Sequence, residues 1–245
     1  MSDQDIAAIV NSSLDRAEAI WDKVEDKLLF AEFSKSIRAY AHIVPSQIPE
    51  HPVVDSDKPE VDEFIALVVD MRKSSRHLMC SIADAKVTQL QRIFYETSAL
   101  LPAMAKNIYD ENGRITEYLG DGLLSIFKVE NDSSLYASYN AAVKCIKNVK
   151  DIVNPILKER YFLPSISIGC GLAKSKAVVT TVGLYDEYIQ PKVFGECVFY
   201  ASKLSSGNNQ IYINESLKGA WPTSKNGTLT FTKKKVKDVV GYLVV

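Results

Sequence analysis

The chain has 245 residues and a formal net charge of −1, room for one large domain or for one ordinary domain with an extension. The near-neutral balance offers no basic face for non-specific nucleic-acid binding. No apolar run approaches the roughly 20 residues that span a bilayer, and the acidic start Met1-Ser2-Asp3-Gln4-Asp5 is unlike a signal peptide. Cys80, Cys145, Cys170 and Cys197 are widely spaced and His42, His51 and His77 are scattered, which reads as buried free thiols in a reducing, cytoplasmic setting without a zinc-type cluster.

From the N-terminus, Ile6, Ile9, Val10, Leu14, Ala17, Ile20, Trp21, Val24, Leu28 and Leu29 recur at helical spacing and predict a helix over residues 6–40. Pro45, Pro49, Pro52 and Pro59 then crowd residues 45–60, which reads as a linker. Residues 1–60 are thus expected to form a helical arm for packing or dimerisation, and residues 61–245 the catalytic domain. Phe64 to Val69 is a continuous apolar run, the pattern of a strand covered on both faces. It stops at Asp70, before the polar loop Met71-Arg72-Lys73-Ser74-Ser75. Residues 75–109 are helical in pattern, interrupted near Pro102. In Arg114 to Phe127, two largely alternating apolar runs flank Gly120-Asp121-Gly122, the signature of a tight hairpin with Asp121 at its tip.

Ser133 to about Leu157 reads as a second long amphipathic helix, with Ser133 or Ser134 as its cap. Ser165 to Ala173 and Ala177 to Leu184 read as two strands, Gly195 to Leu204 as a short helix, Gln210 to Ile213 as a strand, and Glu215 to Trp221 as a helical turn or two. The basic run Lys233-Lys234-Lys235-Val236-Lys237 leads into a last strand, Val239 to Val245. The order strand, helix, hairpin, helix, strand predicts an α+β, ferredoxin-like βαββαβ sheet with helices on one face and an N-terminal helical extension.

If the strand ending at Asp70 pairs with the hairpin, Asp70 and Asp121 converge at one end of the sheet. Two carboxylates so placed suit Mg²⁺ or Mn²⁺, hard cations that share oxygen ligands with substrate phosphates. Taken singly, each has a structural alternative: an Asp-Gly supplies a turn, and an Asp after a strand caps the next helix.

Five segments in register resemble the class III nucleotidyl cyclases, the adenylate and guanylate cyclase homology domain, over roughly residues 61–245. They are Phe64 to Met71, Ile115 to Phe127, Ser167-Ile168-Gly169-Cys170-Gly171, Val193 to Val198 with Ala201 to Leu204, and Gln210 to Glu215. The resemblance implies attack of a nucleoside triphosphate's 3′-hydroxyl on its α-phosphorus, with two metal ions at Asp70, Met71 and Asp121. Arg72, Lys73, Ser74 and Ser75 would meet the phosphates. It further implies a homodimer with its sites at the interface.

At the two base-selecting positions of that family stand Glu117 and Lys192. Phe199 takes the place of the usual transition-state Asn, and Lys203 that of the usual Arg; Tyr200 is expected to help hold the ribose. Lys234 or Lys235 would serve as the triphosphate lysine. The ordinary adenine pair is absent, and a Glu acceptor beside a Lys donor suits a base edge offering an N–H next to a carbonyl. With Asp-Met-Arg-x-Ser-Ser, the chain looks most like the pyrimidine cyclases of the Pycsar anti-phage systems. Those make cyclic UMP or cyclic CMP, which activates a separate effector; UTP is favoured over CTP here. The alternatives are a guanylate or adenylate cyclase, or a catalytically silent nucleotide-binding regulator.

Overall fold

The strand on which the rest is assembled is β3, Glu60–Met71. Every residue from Phe64 to Val69 is at most 2% exposed, because successive side chains enter two different cores. Ile65, Leu67 and Val69 pack on one face, and Phe64, Ala66 and Val68 on the other. That is why the run is continuously apolar rather than alternating. The structure, a computed structural model, describes residues 3–24, 43–55, 58–79, 82, 85–184, 188–223 and 227–245. The part of the expected N-terminal helix beyond Val24, with His42 and Cys80, lies outside the described residues.

β3 pairs antiparallel with β5 (Gly122–Lys128) on one side and β6 (Ile168–Leu184) on the other. β4 (Arg114–Tyr118) completes the hairpin with β5. With α3 (Gln89–Asp110) between β3 and β4, and α4 (Asp132–Asn148) between β5 and β6, the order β4-β5-β3-β6 is the expected ferredoxin-like βαββαβ core. β8 (Gln210–Ile213) continues the sheet parallel to β6, and β10 (Val239–Val244) and β9 (Phe231–Val236) follow it outward. β7 (Tyr188–Gly195) folds back along the outer half of β6 as a two-stranded arm.

Helices cover both faces of the sheet, not one. On the first, α3 and α4 pack with α1 (Asp3–Val24), whose Ile6, Val10 and Leu14 are core residues beside Leu100 and Met104. Arg160 on α5 (Asn154–Tyr161) clasps α1 at Asp15 (2.7 Å) and Glu18 (2.9 Å). On the second face, α6 (Glu196–Leu204) places Cys197 and Ala201 against Phe64, Ala66 and Val68. Among the described residues, no helix is long and apolar enough to cross a membrane. Cys145, Cys170 and Cys197 are free and buried, and burial pushes the Cys145 thiol up to about 12.

Other expectations are corrected. The proline-rich stretch contains a β-hairpin, β1 (Ile43–Ile48) with β2 (His51–Asp55), whose Ile48 and Val54 enter the second core. Its prolines are tolerated because each strand pairs on one side only, and His51 pins it to Asp62 at 2.9 Å. The helix break falls before α3, not at Pro102: α2 (Ser74–Met79) ends early, and a Thr88–Gln91 capping box restarts the chain as α3. Pro102 lies inside α3, where the buried Leu100, Ala103 and Met104 offset its missing N–H. Asn131, not a serine, caps α4 by accepting from the Ser133 N–H at 2.8 Å, and a π-helical turn over Val149–Val153 joins α4 to α5. The two strands expected over 165–184 are the single strand β6, and Lys233 to Lys235 lie within β9 itself.

One ionic cluster ties α2 to this frame. The Glu96 side chain is wholly enclosed, receiving Arg92 Nε at 2.9 Å on one oxygen and His77 Nδ1 at 2.7 Å on the other. Glu96→Ala would leave the Arg92 charge buried and unpaired, so it is expected to destabilise the fold by about 3–5 kcal/mol in urea denaturation. A loss below about 1 kcal/mol would mean the cluster is solvated.

Candidate active site

The end of β3 and the tip of the β4–β5 hairpin meet. Asp70 stands opposite Gly122 in the strand register, and the Met71 N–H donates to the Asp121 carbonyl oxygen at 3.2 Å. Gly120 supplies the turn's φ of +85°, and Gly122 allows the close approach, since a Cβ there would sit 2.5 Å from the Val69 carbonyl oxygen. The result fixes the Asp70 and Asp121 carboxylates in mutual electrostatic contact. Burial first, and the Asp121 charge second, push the Asp70 carboxyl above the usual carboxylate range.

Two cations oppose that shift. Arg72 Nη1 lies 2.5 Å from Asp70 Oδ2 and 2.7 Å from the Ser205 carbonyl oxygen, and the Lys237 charge also faces Asp70. Lys237 was missed by sequence reasoning, because its approach to Asp70 is a long-range contact of the two-residue loop Lys237-Asp238 between β9 and β10. Lys73 is exposed at φ 61° in the turn before α2. Ser74, Ser75, Gly120 and Asp121 line a cavity of about 420 Å³ together with apolar residues that include Leu78 and Phe94.

Glu117 and Lys192, far apart in sequence, come together in one ion pair of 2.7 Å. A bulge between Ile115 and Glu117 re-aims Glu117 out of the regular hairpin register, while Lys192 is presented from β7 opposite Thr180. β1, the strand hidden in the proline-rich stretch, lies against both β4 and β7.

α6 approaches β6 more closely than side chains permit. A Cβ on Gly171 would overlap the Ala201 carbonyl oxygen, and one on Gly169 the Ser205 carbonyl oxygen. This contact aims the outer face of α6, where Phe199 is 53% exposed and packs edge-on to Tyr200 at 5.7 Å. Lys203 pairs with Asp238 at 3.2 Å, with its amine 5.5 Å from the Phe199 ring. Lys234 and Lys235 are exposed on the edge strand β9, where lysines oppose edge-to-edge association; neither is brought to the aspartates by any described contact.

The described residues include no group of three or more His, Cys, Asp or Glu able to hold a metal by themselves. Two carboxylates at adjoining strand ends are nonetheless a donor set that fits Mg²⁺ or Mn²⁺, with backbone, water and phosphate oxygens completing the shell.

No protein-family model matches the chain. An adenylate cyclase of Anabaena cylindrica is 23% identical over 94% of the chain, which spans 47% of that relative's length. Among solved structures, the guanylyl cyclase Cya2 superposes with a TM-score of 0.62 at 18% identity, covering 76% of this chain and 92% of its own. The adenylyl cyclase CyaB from P. aeruginosa gives 0.63 at 16% identity, covering 77% and 96%. The fold is that of the class III nucleotidyl cyclases. A guanylyl cyclase domain of the RhoGC fusion protein from Blastocladiella emersonii, described as a non-canonical dimer, matches at 0.56 and 16% identity over 77% and 97%. In that cyclase fold, Asp70 and Asp121 occupy adjoining strand ends and Glu117 and Lys192 form a second, separate polar pair.

Proposed function

We propose that the chain is a metal-dependent nucleotidyl cyclase that converts a pyrimidine nucleoside triphosphate, UTP before CTP, to the 3′,5′-cyclic monophosphate and pyrophosphate. The observation that carries the reading is the convergence of Asp70 and Asp121 through the β3–β5 pairing. The 3′-oxygen bonds to the α-phosphorus, its proton passes to solvent water, and the bond from that phosphorus to the β-bridging oxygen breaks with its electron pair on pyrophosphate. Asp70 and Asp121, with the Met71 backbone, would hold Mg²⁺ or Mn²⁺. Bound there, the ions supply Lewis acidity to the 3′-hydroxyl and counter-charge to the phosphates.

The chain's own residues do the rest by positioning and charge. Ser74 and Ser75 line the cavity beside Asp121, with Lys73 and Lys237 as counter-charge for the triphosphate. Lys203 neutralises the developing phosphate charge as a point charge without a bidentate fork, after leaving Asp238. Tyr200 stands by the ribose in place of the missing Asn. A homodimer would bring the aspartates of one protomer to the base-reading pair of its partner; exposed Val178, Val182 and Phe194 on the β6–β7 arm support such an interface. The product would act as a second messenger for a separate anti-phage effector.

Base choice rests on Glu117 and Lys192. Held 2.7 Å apart, a carboxylate acceptor and an ammonium donor match the adjacent N–H and carbonyl of uracil. Substituting either with alanine leaves the other head unpaired, so kcat/KM for UTP is expected to fall by about 10–100-fold, with a smaller change for ATP. An equal loss across all four triphosphates would contradict this base assignment. A silent nucleotide-binding regulator is the second reading, favoured by Phe199 on the outer face of α6 and by the engagement of Lys203 with Asp238; nucleotide binding without turnover would select it.

A further inference from the structure

Arg72 engages an oxygen of Asp70 that a metal ion would need. Its Nη1 bridges Asp70 Oδ2 at 2.5 Å and the Ser205 carbonyl oxygen at 2.7 Å, and its backbone N–H is fixed to the Ser167 carbonyl oxygen at 2.8 Å. The side chain is only 20% exposed, so this is a built contact rather than a solvated surface pair. Ser205 closes α6, so the guanidinium joins the end of β3 to the end of the helix carrying Phe199 and Lys203. A guanidinium and a divalent cation cannot both sit on Oδ2 without strong mutual repulsion.

We propose that Arg72 is a positioning residue that competes with the divalent ion for Asp70. It keeps the carboxylate aimed at the sheet end, and it yields the oxygen as the ion arrives while staying anchored on Ser205. The inference rests on the reading of Asp70 and Asp121 as the metal pair. Ion binding by the free protein is then weak, and a metal–triphosphate complex, which also satisfies Lys237 and the displaced guanidinium, is the better competitor.

The test is titration of Mn²⁺, without nucleotide, into wild type, Arg72→Ala, Arg72→Gln and Asp121→Ala, followed by electron paramagnetic resonance of the free ion. Arg72→Ala is expected to bind Mn²⁺ about tenfold more tightly than wild type, the weight of one charge-assisted hydrogen bond. Arg72→Gln, which removes the charge but keeps the methylene stem and a polar head, is expected to do the same and covers the case in which the alanine variant fails to fold. Melting of Arg72→Gln in EDTA should fall below wild type and recover with Mn²⁺. Asp121-dependent binding that is unchanged or weaker in the Arg72 variants would overturn the competition. Absence of any Asp121-dependent Mn²⁺ binding, in wild type and variants alike, would instead overturn the metal-pair reading beneath it.

Discussion

Asp121→Ala is expected to abolish cyclic-nucleotide formation, lowering turnover by about 10³-fold or more, while the protein stays folded. The hairpin that presents Asp121 is held by its backbone: Met71 N–H to the Asp121 carbonyl oxygen at 3.2 Å, and Leu119 N–H to the Gly122 carbonyl oxygen at 2.9 Å. None of these bonds uses the carboxylate, so the loss of stability should stay within about 1 kcal/mol. The substitution also removes the like charge that helps raise the Asp70 carboxyl. In wild type, Asp70 therefore gains its proton at a higher pH than an ordinary aspartate as acidity rises; in the variant that step moves to lower pH. Single-turnover assays and carboxyl titration by NMR separate the two effects. Retained turnover would remove Asp121 from the chemistry.

Gly171→Ala is expected to disrupt the site from the other side, through packing alone. The added methyl would overlap the backbone carbonyl of Ala201, and the Ser205 N–H lies 2.6 Å from the same point. Backbone cannot rotate away as a side chain can, so α6 must lift from β6. Overpacking of this kind costs about 1–3 kcal/mol, and the upper end is expected here. The lift would carry Lys203 and Tyr200 with it and break the Arg72 contact to Ser205, so activity should fall together with stability. Urea denaturation and circular dichroism measure the first effect. A variant as stable as wild type would mean that α6 is not held at this distance.

Much of this architecture was legible because it rests on local patterns. The continuous apolar run of β3 announced a strand buried on both faces, and Gly120-Asp121-Gly122 announced the hairpin, so Asp70 and Asp121 could be matched before any contact was known. The same run also implied cover on both faces, yet α6 and the β1–β2 hairpin were not assigned to the second face. Pro45, Pro49 and Pro52 argued for a linker because proline cannot donate to a ladder; Pro45 and Pro52 sit in β1 and β2, where each strand has only one partner, and Pro49 lies in the turn between them. Pro102 misled for a similar reason, since the burial of its neighbours outweighs one lost hydrogen bond. The Glu117–Lys192 pair was nameable only by resemblance to the family, because its geometry depends on a bulge in β4 and on the β6–β7 arm, both tertiary features. Lys237 and the double grip of Arg72 depend on long-range contacts that no periodicity encodes.

The measurement that tests the account most directly is incubation of the purified protein with Mn²⁺ and each of ATP, GTP, CTP and UTP in turn, with product identified by mass spectrometry. The account predicts cyclic UMP from UTP, less cyclic CMP from CTP, and neither from Asp121→Ala. Product from ATP or GTP alone would contradict the pyrimidine assignment and keep the chemistry; no cyclic nucleotide from any triphosphate, with binding intact, would contradict the cyclase reading itself.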